Sequence, residues 1–232
     1  MGKLFVNIHS ILKSVLCAAL IFTFINTAQS ATITVDGTDG SVAPDGFCSI
    51  TEAILAANIN LPINECPSGS GIDTDIINLS TNITLTTEGE SDNTYGRTGT
   101  PAIDSILILN GNGFSITRDN LLCNPNDFSA STEFRIIRVD ASGDLTLNNI
   151  TLSNGCVDGS GFSRAGGAIS NGGVLSIVDS TFSGNTAYNG GALHNYGTIN
   201  MIQNSTFSGN PARFDGGGIN NEGIITLSLI HI

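Results

Sequence analysis

Apolar residues in this chain recur at every second position in short runs, and the runs themselves recur. Leu145 and Leu147 are followed by Ile150 and Leu152, and Leu175 and Ile177 are followed by Phe182. Alternation of this kind, broken by Gly, Asn, Ser and Thr, predicts half-buried β-strands separated by tight turns. DIINLSTNITLT and SILILNGNGFSIT predict the first such strands, from about Asp75 and Ser105, and the polar EGESDNTYGRTGTP between them reads as a surface loop. Nothing after residue 60 sustains a helical period. Before it, Ile50, Ala53, Ile54 and Ala57 share one face at helical spacing, and Ser49 with Glu52 forms a capping-box pattern. A short amphipathic helix is predicted from about Ile50 to Asn58.

The runs belong to a repeat. GGAISNGGVLSIVDSTFSGN starts at Gly166, GGALHNYGTINMIQNSTFSGN at Gly190 and GGGINNEGIITL at Gly216, and a weaker copy begins at Leu145. One such unit cannot bury its own apolar side, whereas stacked units share a continuous core. Period and strand length together predict an all-β fold: a right-handed parallel β-helix, the solenoid of pectin-lyase-like proteins, with about one coil per repeat and a short N-terminal capping helix. A β-propeller blade needs about 40 residues, more than this period supplies. Ile169, Leu193 and Ile219 align as one inward row, and Phe182 and Phe207 as another, below Leu152. Asn171, Asn195 and Asn221 align as a ladder of side-chain hydrogen bonds, at corners where asparagine tolerates a left-handed backbone. Gly173, Gly197 and Gly223 mark the next corner. MIQNSTF has one residue more than IVDSTF, which places a β-bulge near Ile202. His194 falls between an inward leucine and a ladder asparagine, so it is expected to point outward, in the same row as Ser170 and Asn220 and without a partner acid.

The two ends read differently. Residues 1–30 have a basic start, an apolar middle and small residues before Ala31, the layout of a cleaved secretory signal. No transmembrane helix is then expected to remain. Residues 31–66 form the cap and 67–227 the β-helix. LSLIHI at the other end matches one reading frame of a common transposase adapter. Residues 228–232 are therefore expected to be a non-native tail on an incomplete solenoid.

Without the leader the chain has no lysine, and six arginines face twenty acidic residues, a formal charge of −14. That balance disfavours nucleic acid and acidic glycans as partners. Cys48, Cys66, Cys123 and Cys156 make an even count in an exported chain, which fits two disulfides. Three pairings are open; Cys48–Cys66 and Cys123–Cys156 each close a local loop. Asp36, Asp39 and Asp45 sit in DGTDGSVAPDG, which reads first as a surface turn. Calcium is the one ion for which it offers ligands, and no other cofactor is expected.

CSITEAILAAN, residues 48–58, resembles the motif of CSLREA-domain proteins, which are exported bacterial and archaeal proteins. Ile50 and Thr51 stand where that motif has leucine and arginine. In that family the motif typically precedes an extended strand region and then β-helix repeats. The GGAI, GGAL and FSGN strings are similar to motifs of polymorphic outer-membrane proteins, surface adhesins of the autotransporter type. The resemblance implies an exported, adhesin-like protein but specifies no ligand; a surface glycan or a protein is expected as partner. The β-helix is also the fold of pectin-degrading enzymes. The NTD, DD, GHG and RIK strings of polygalacturonase-like enzymes are absent here, and no catalytic residue is assigned. Arg135 and Arg138, three apart in FRIIR, are expected on opposite sides of a strand, at a solvated or ion-paired edge. The alternative to a binding role is a carbohydrate-active enzyme whose catalytic coils lie beyond residue 227.

Overall fold

A computed structural model describes residues 30–71, 73–92, 94–119, 133–157 and 164–226. The expected signal peptide up to residue 29, Cys123, most of the CVDGSGFSRA insertion and the expected tail lie outside the described residues. The chain winds as a parallel β-helix with three principal sheets. The first stacks β1 (Thr32–Val35), β2 (Asp75–Leu79), β6 (Ile106–Asn110), β9 (Asp144–Asn148), β12 (Val174–Val178), β16 (Thr198–Gln203) and β20 (Ile224–Ile225). The second stacks β3 (Ile83–Leu85), β7 (Ser115–Arg118), β10 (Thr151–Ser153), β13 (Thr181–Ser183) and β17 (Thr206–Ser208). The third stacks β8 (Ile137–Val139), β11 (Ile169–Asn171), β15 (Leu193–Asn195) and β19 (Ile219–Asn221). All pairing within these sheets is parallel and joins equivalent strands of successive coils.

The register follows the repeat. Leu145 pairs with Leu175, Ile169 with Leu193 and Leu193 with Ile219, so like side chains stack inward. Leu152, Phe182 and Phe207 form one row, and the two phenyl rings stack at 4.6 Å with planes 2° apart. Phe182 is fully buried, whereas Phe207 and Ile219 are only partly covered. The bulge of β16 falls at Asn200, slightly earlier than expected; Ile202 then regains its inward position opposite Ile177.

The corners show two devices. Asn171 donates to Asn195 and Asn195 to Asn221, each at 2.6 Å, the predicted ladder. These asparagines lie in strands, however, not in left-handed backbone. The left-handed corner is held instead by Asn149, Asp179 and Asn204, with φ of 47°, 50° and 50°. At the glycine corner the requirement is space. A Cβ on Gly173 would lie 2.2 Å from the carbonyl oxygen of Gly143, and one on Gly197 2.2 Å from that of Gly173.

The helix α1 (Ile50–Ile59) has the predicted capping box: the Ser49 hydroxyl accepts from Glu52 N, and the Glu52 carboxylate accepts from Ser49 N. Ile50, Ala53, Ile54 and Ala57 join the same core as the strands. The helix is buried more completely than a one-faced amphipath, because Thr51, Glu52 and Ala56 are buried as well. The flanking segments account for this, since Glu52 accepts from Ala43 N ahead of the helix and from the Asn64 side chain beyond it. The Cys48–Cys66 disulfide ties the helix start to the turn after it, with Cα atoms 4.9 Å apart. Cys156 is also disulfide-bonded.

Candidate binding face

The EGESDNTYGRTGTP segment is not a free loop. Its β4 (Glu90–Asp92) and β5 (Gly96–Thr98) pair as an antiparallel hairpin, and Thr98 bridges to Arg135 ahead of β8. The hairpin is thereby joined to the outer side of the third sheet. There it meets side chains that the repeat itself does not require.

Arg138 is the centre of this contact. Its Nη2 lies 3.0 Å from Glu90, its Nη1 3.7 Å from Asp92 and its Nε 2.9 Å from Asp140. The guanidinium is 5% exposed while each carboxylate is 35% to 37% exposed, so the cation sits beneath a rim of acids. Arg138 also lies over the Tyr95 ring, 5.1 Å from its centroid. Arg135, fully buried, donates from Nη1 to the Tyr95 carbonyl and from Nε to that of Ala165. The two arginines therefore converge on one residue instead of diverging. A bend at Ile136 breaks the alternation that the sequence spacing assumed. Burial pushes the Arg135 pKa down to about 10, which leaves it charged at neutral pH.

Tyr95 is stacked parallel to Tyr196, with centroids 6.4 Å apart and planes 4° apart. Tyr196 lies over Gly172, where a Cβ would come within 2.8 Å of its ring. Its hydroxyl is hydrogen-bonded to Ser170, and burial raises its pKa. Asp140 titrates above the ordinary carboxylate range, because its desolvation outweighs the attraction of Arg138. Asp92 titrates below it, held chiefly by the backbone N–H groups of Tyr95 and Thr94.

His194 corrects a second expectation. It occupies the outward row, aligned with Ser170 and Asn220, but it is only 2% exposed and does have a partner acid. Its Nε2 lies 3.2 Å from Glu222, one coil on, and its ring is tilted against Tyr196 at 5.7 Å. Among the described residues its Nδ1 has no hydrogen-bond partner. The acid escaped notice because Glu222 aligns with Tyr196, two positions after the histidine row. The signal available in the sequence was the series Asp140, Gly172, Tyr196, Glu222, in which one aligned position varies while its neighbours repeat.

A second outward series runs along β14 (Ala187–Asn189) and β18 (Ala212–Asp215). The Arg164 guanidinium lies 4.6 Å over Tyr188, and Tyr188 stacks on Phe214 at 5.5 Å. Phe214 is 70% exposed.

Of the aspartates named as calcium ligands, Asp39 and Asp45 serve local turns and Asp36 ties its loop to the start of the helix. Asp36 accepts from Cys48 N, Asp39 from Ser41 N and Oγ, and Asp45 from Phe47 N. A separate cleft of roughly 250 Å³, lined by Asp73, Asp75 and Asp104, opens beside the C-terminal end of α1. Among the described residues no group of three or more His, Cys, Asp or Glu side chains is placed to hold a metal ion. Comparison with family models, curated proteins and solved structures yields no match to this chain.

Proposed function

We propose that this chain is an exported β-helix protein of CSLREA type with a binding, adhesin-like role, and that the outer face of the third sheet is its contact surface. One observation carries the reading. Tyr95 and Tyr196, a hundred residues apart in sequence, are brought into parallel stacking beside Arg138 and a rim of half-exposed carboxylates. The solenoid core needs none of these groups, and side chains gathered on a rigid scaffold without a core role favour recognition. The repeat strings and the 48–58 segment support export and surface display through their resemblance alone.

Binding of the fluorescently labelled full chain to intact cells and to immobilised matrix proteins tests this. Saturable binding that drops when Tyr95 and Tyr196 are both replaced by alanine is expected. Turnover of a polysaccharide without saturable binding would favour the carbohydrate-active enzyme instead.

A further inference from the structure

We propose that this face recognises a neutral glycan, with the Tyr95–Tyr196 pair supplying apolar ring surface and Asp92, Asp140 and Glu222 accepting hydrogen bonds from sugar hydroxyls. The inference rests on the binding reading above and gives that site its ligand class.

Three features select this chemistry. The first is shape. Two parallel, half-buried rings present an amphipathic surface, and aromatic groups of this kind favour ligands that are apolar on one face and polar at the edge. A pyranose ring has that character. The second is charge. The acids are 35% to 55% exposed, while the one cation among them, Arg138, is buried beneath and shared by three of them. The outward field is negative, so uronate, sialylated and sulfated chains are repelled. Arg138 offsets one of the three negative charges around it, which lowers the demand for a cationic ligand without reversing the field. Their outer lone pairs still accept from hydroxyl groups.

The third feature is an unmet hydrogen bond. The buried Nδ1 of His194 lacks a partner among the described residues, and buried polar atoms in folded proteins are ordinarily hydrogen-bonded. With Nε2–H donating to Glu222, Nδ1 is an acceptor. A hydroxyl reaching past Tyr196 would satisfy it. Gly172 makes the arrangement adjustable, since the Tyr196 ring occupies the space that a side chain there would take.

The test is a panel of neutral hexose oligosaccharides, oligogalacturonate, heparin oligosaccharides and cationic chitosan oligosaccharides, read by calorimetry on the full chain. Neutral oligosaccharides should bind best. Tyr196→Ala and Glu222→Gln should each weaken them about tenfold or more, the scale of a hydrogen bond to a charged group. Gly172→Ala should weaken binding while leaving every carboxylate in place. Tyr188→Ala, on the neighbouring series, should leave it unchanged. Circular dichroism melting separates these effects from misfolding, and Glu222→Gln, at a 55% exposed side chain, keeps the test decisive if Tyr196→Ala unfolds. A preference for galacturonate, heparin or chitosan would overturn the inference, as would neutral binding insensitive to both variants. Cell binding with no oligosaccharide binding would overturn it too, while leaving the adhesin-like reading standing.

Discussion

At the scale of single residues the inward rows obey a simple rule, and their energies follow from burial. Phe182 has stacked neighbours on both sides, Leu152 below and Phe207 above, and no exposed surface. Its truncation leaves a cavity that rigid neighbouring coils cannot close. Phe182→Ala should cost about 3–5 kcal/mol in denaturant unfolding. Phe207→Ala should cost clearly less, because its ring is only partly covered. Equal losses at the two sites would contradict the stacking order. These rows were legible in the sequence because each coil meets the same constraint at the same place. The outward residues were not legible, since their surroundings come from elsewhere in the chain. His194 does point away from the core, as alternation demands, yet it is covered by Tyr196 and tied to Glu222. Alternation says which side of a strand a residue occupies and nothing about what lies over that side.

At the scale of elements the helix and the hairpin make an instructive pair. Both are additions to the repeat, but α1 carries local signals, a capping box and an apolar spacing, whereas β4 and β5 carry neither. The hairpin is held by Arg138 and Arg135, more than forty residues further on for most of its contacts, so its sequence looked like a polar loop. The helix depends on a local staple. The Cys48–Cys66 disulfide closes a separation of 18 residues around it, and both cysteines are buried. Cross-linking a loop of this length stabilises by roughly 2–4 kcal/mol, largely by restricting the unfolded chain. Replacing both cysteines with serine should lower the unfolding free energy by about that amount. Because α1 shares one core with the coils, the loss should appear in the transition of the whole β-helix. A separate early transition of the cap, with the strand signal unmoved, would show that the helix is only loosely coupled.

At the scale of the whole molecule, stability is the sum of coil energies and of interfaces between neighbouring coils. The fold class was legible for the same reason: a period of about 25 residues with strand alternation admits few other architectures. Unequal coverage along the axis was harder to read, because aligned residues look equivalent in sequence. Leu175, Ile177 and Phe182 are fully buried between coils, whereas Ile219 is partly exposed and Ile224 is 59% exposed. Strand β12 pairs on both sides, with β9 and β16; among the described residues β20 pairs with β16 alone. A nearest-neighbour solenoid should open from its less covered coil, so local opening should be cheapest there. Amides of β19 and β20 should therefore exchange with solvent at least about tenfold faster than those of β11 and β12, measured by native-state hydrogen exchange. The asparagine ladder sets the limit of the effect, since Asn195 still donates to Asn221 across that interface. Asn195→Ala should widen the difference by loosening β19 while leaving β12 protected. Uniform protection along the axis would mean that the coils open as one cooperative block, and the neighbour-by-neighbour account of this fold would fail.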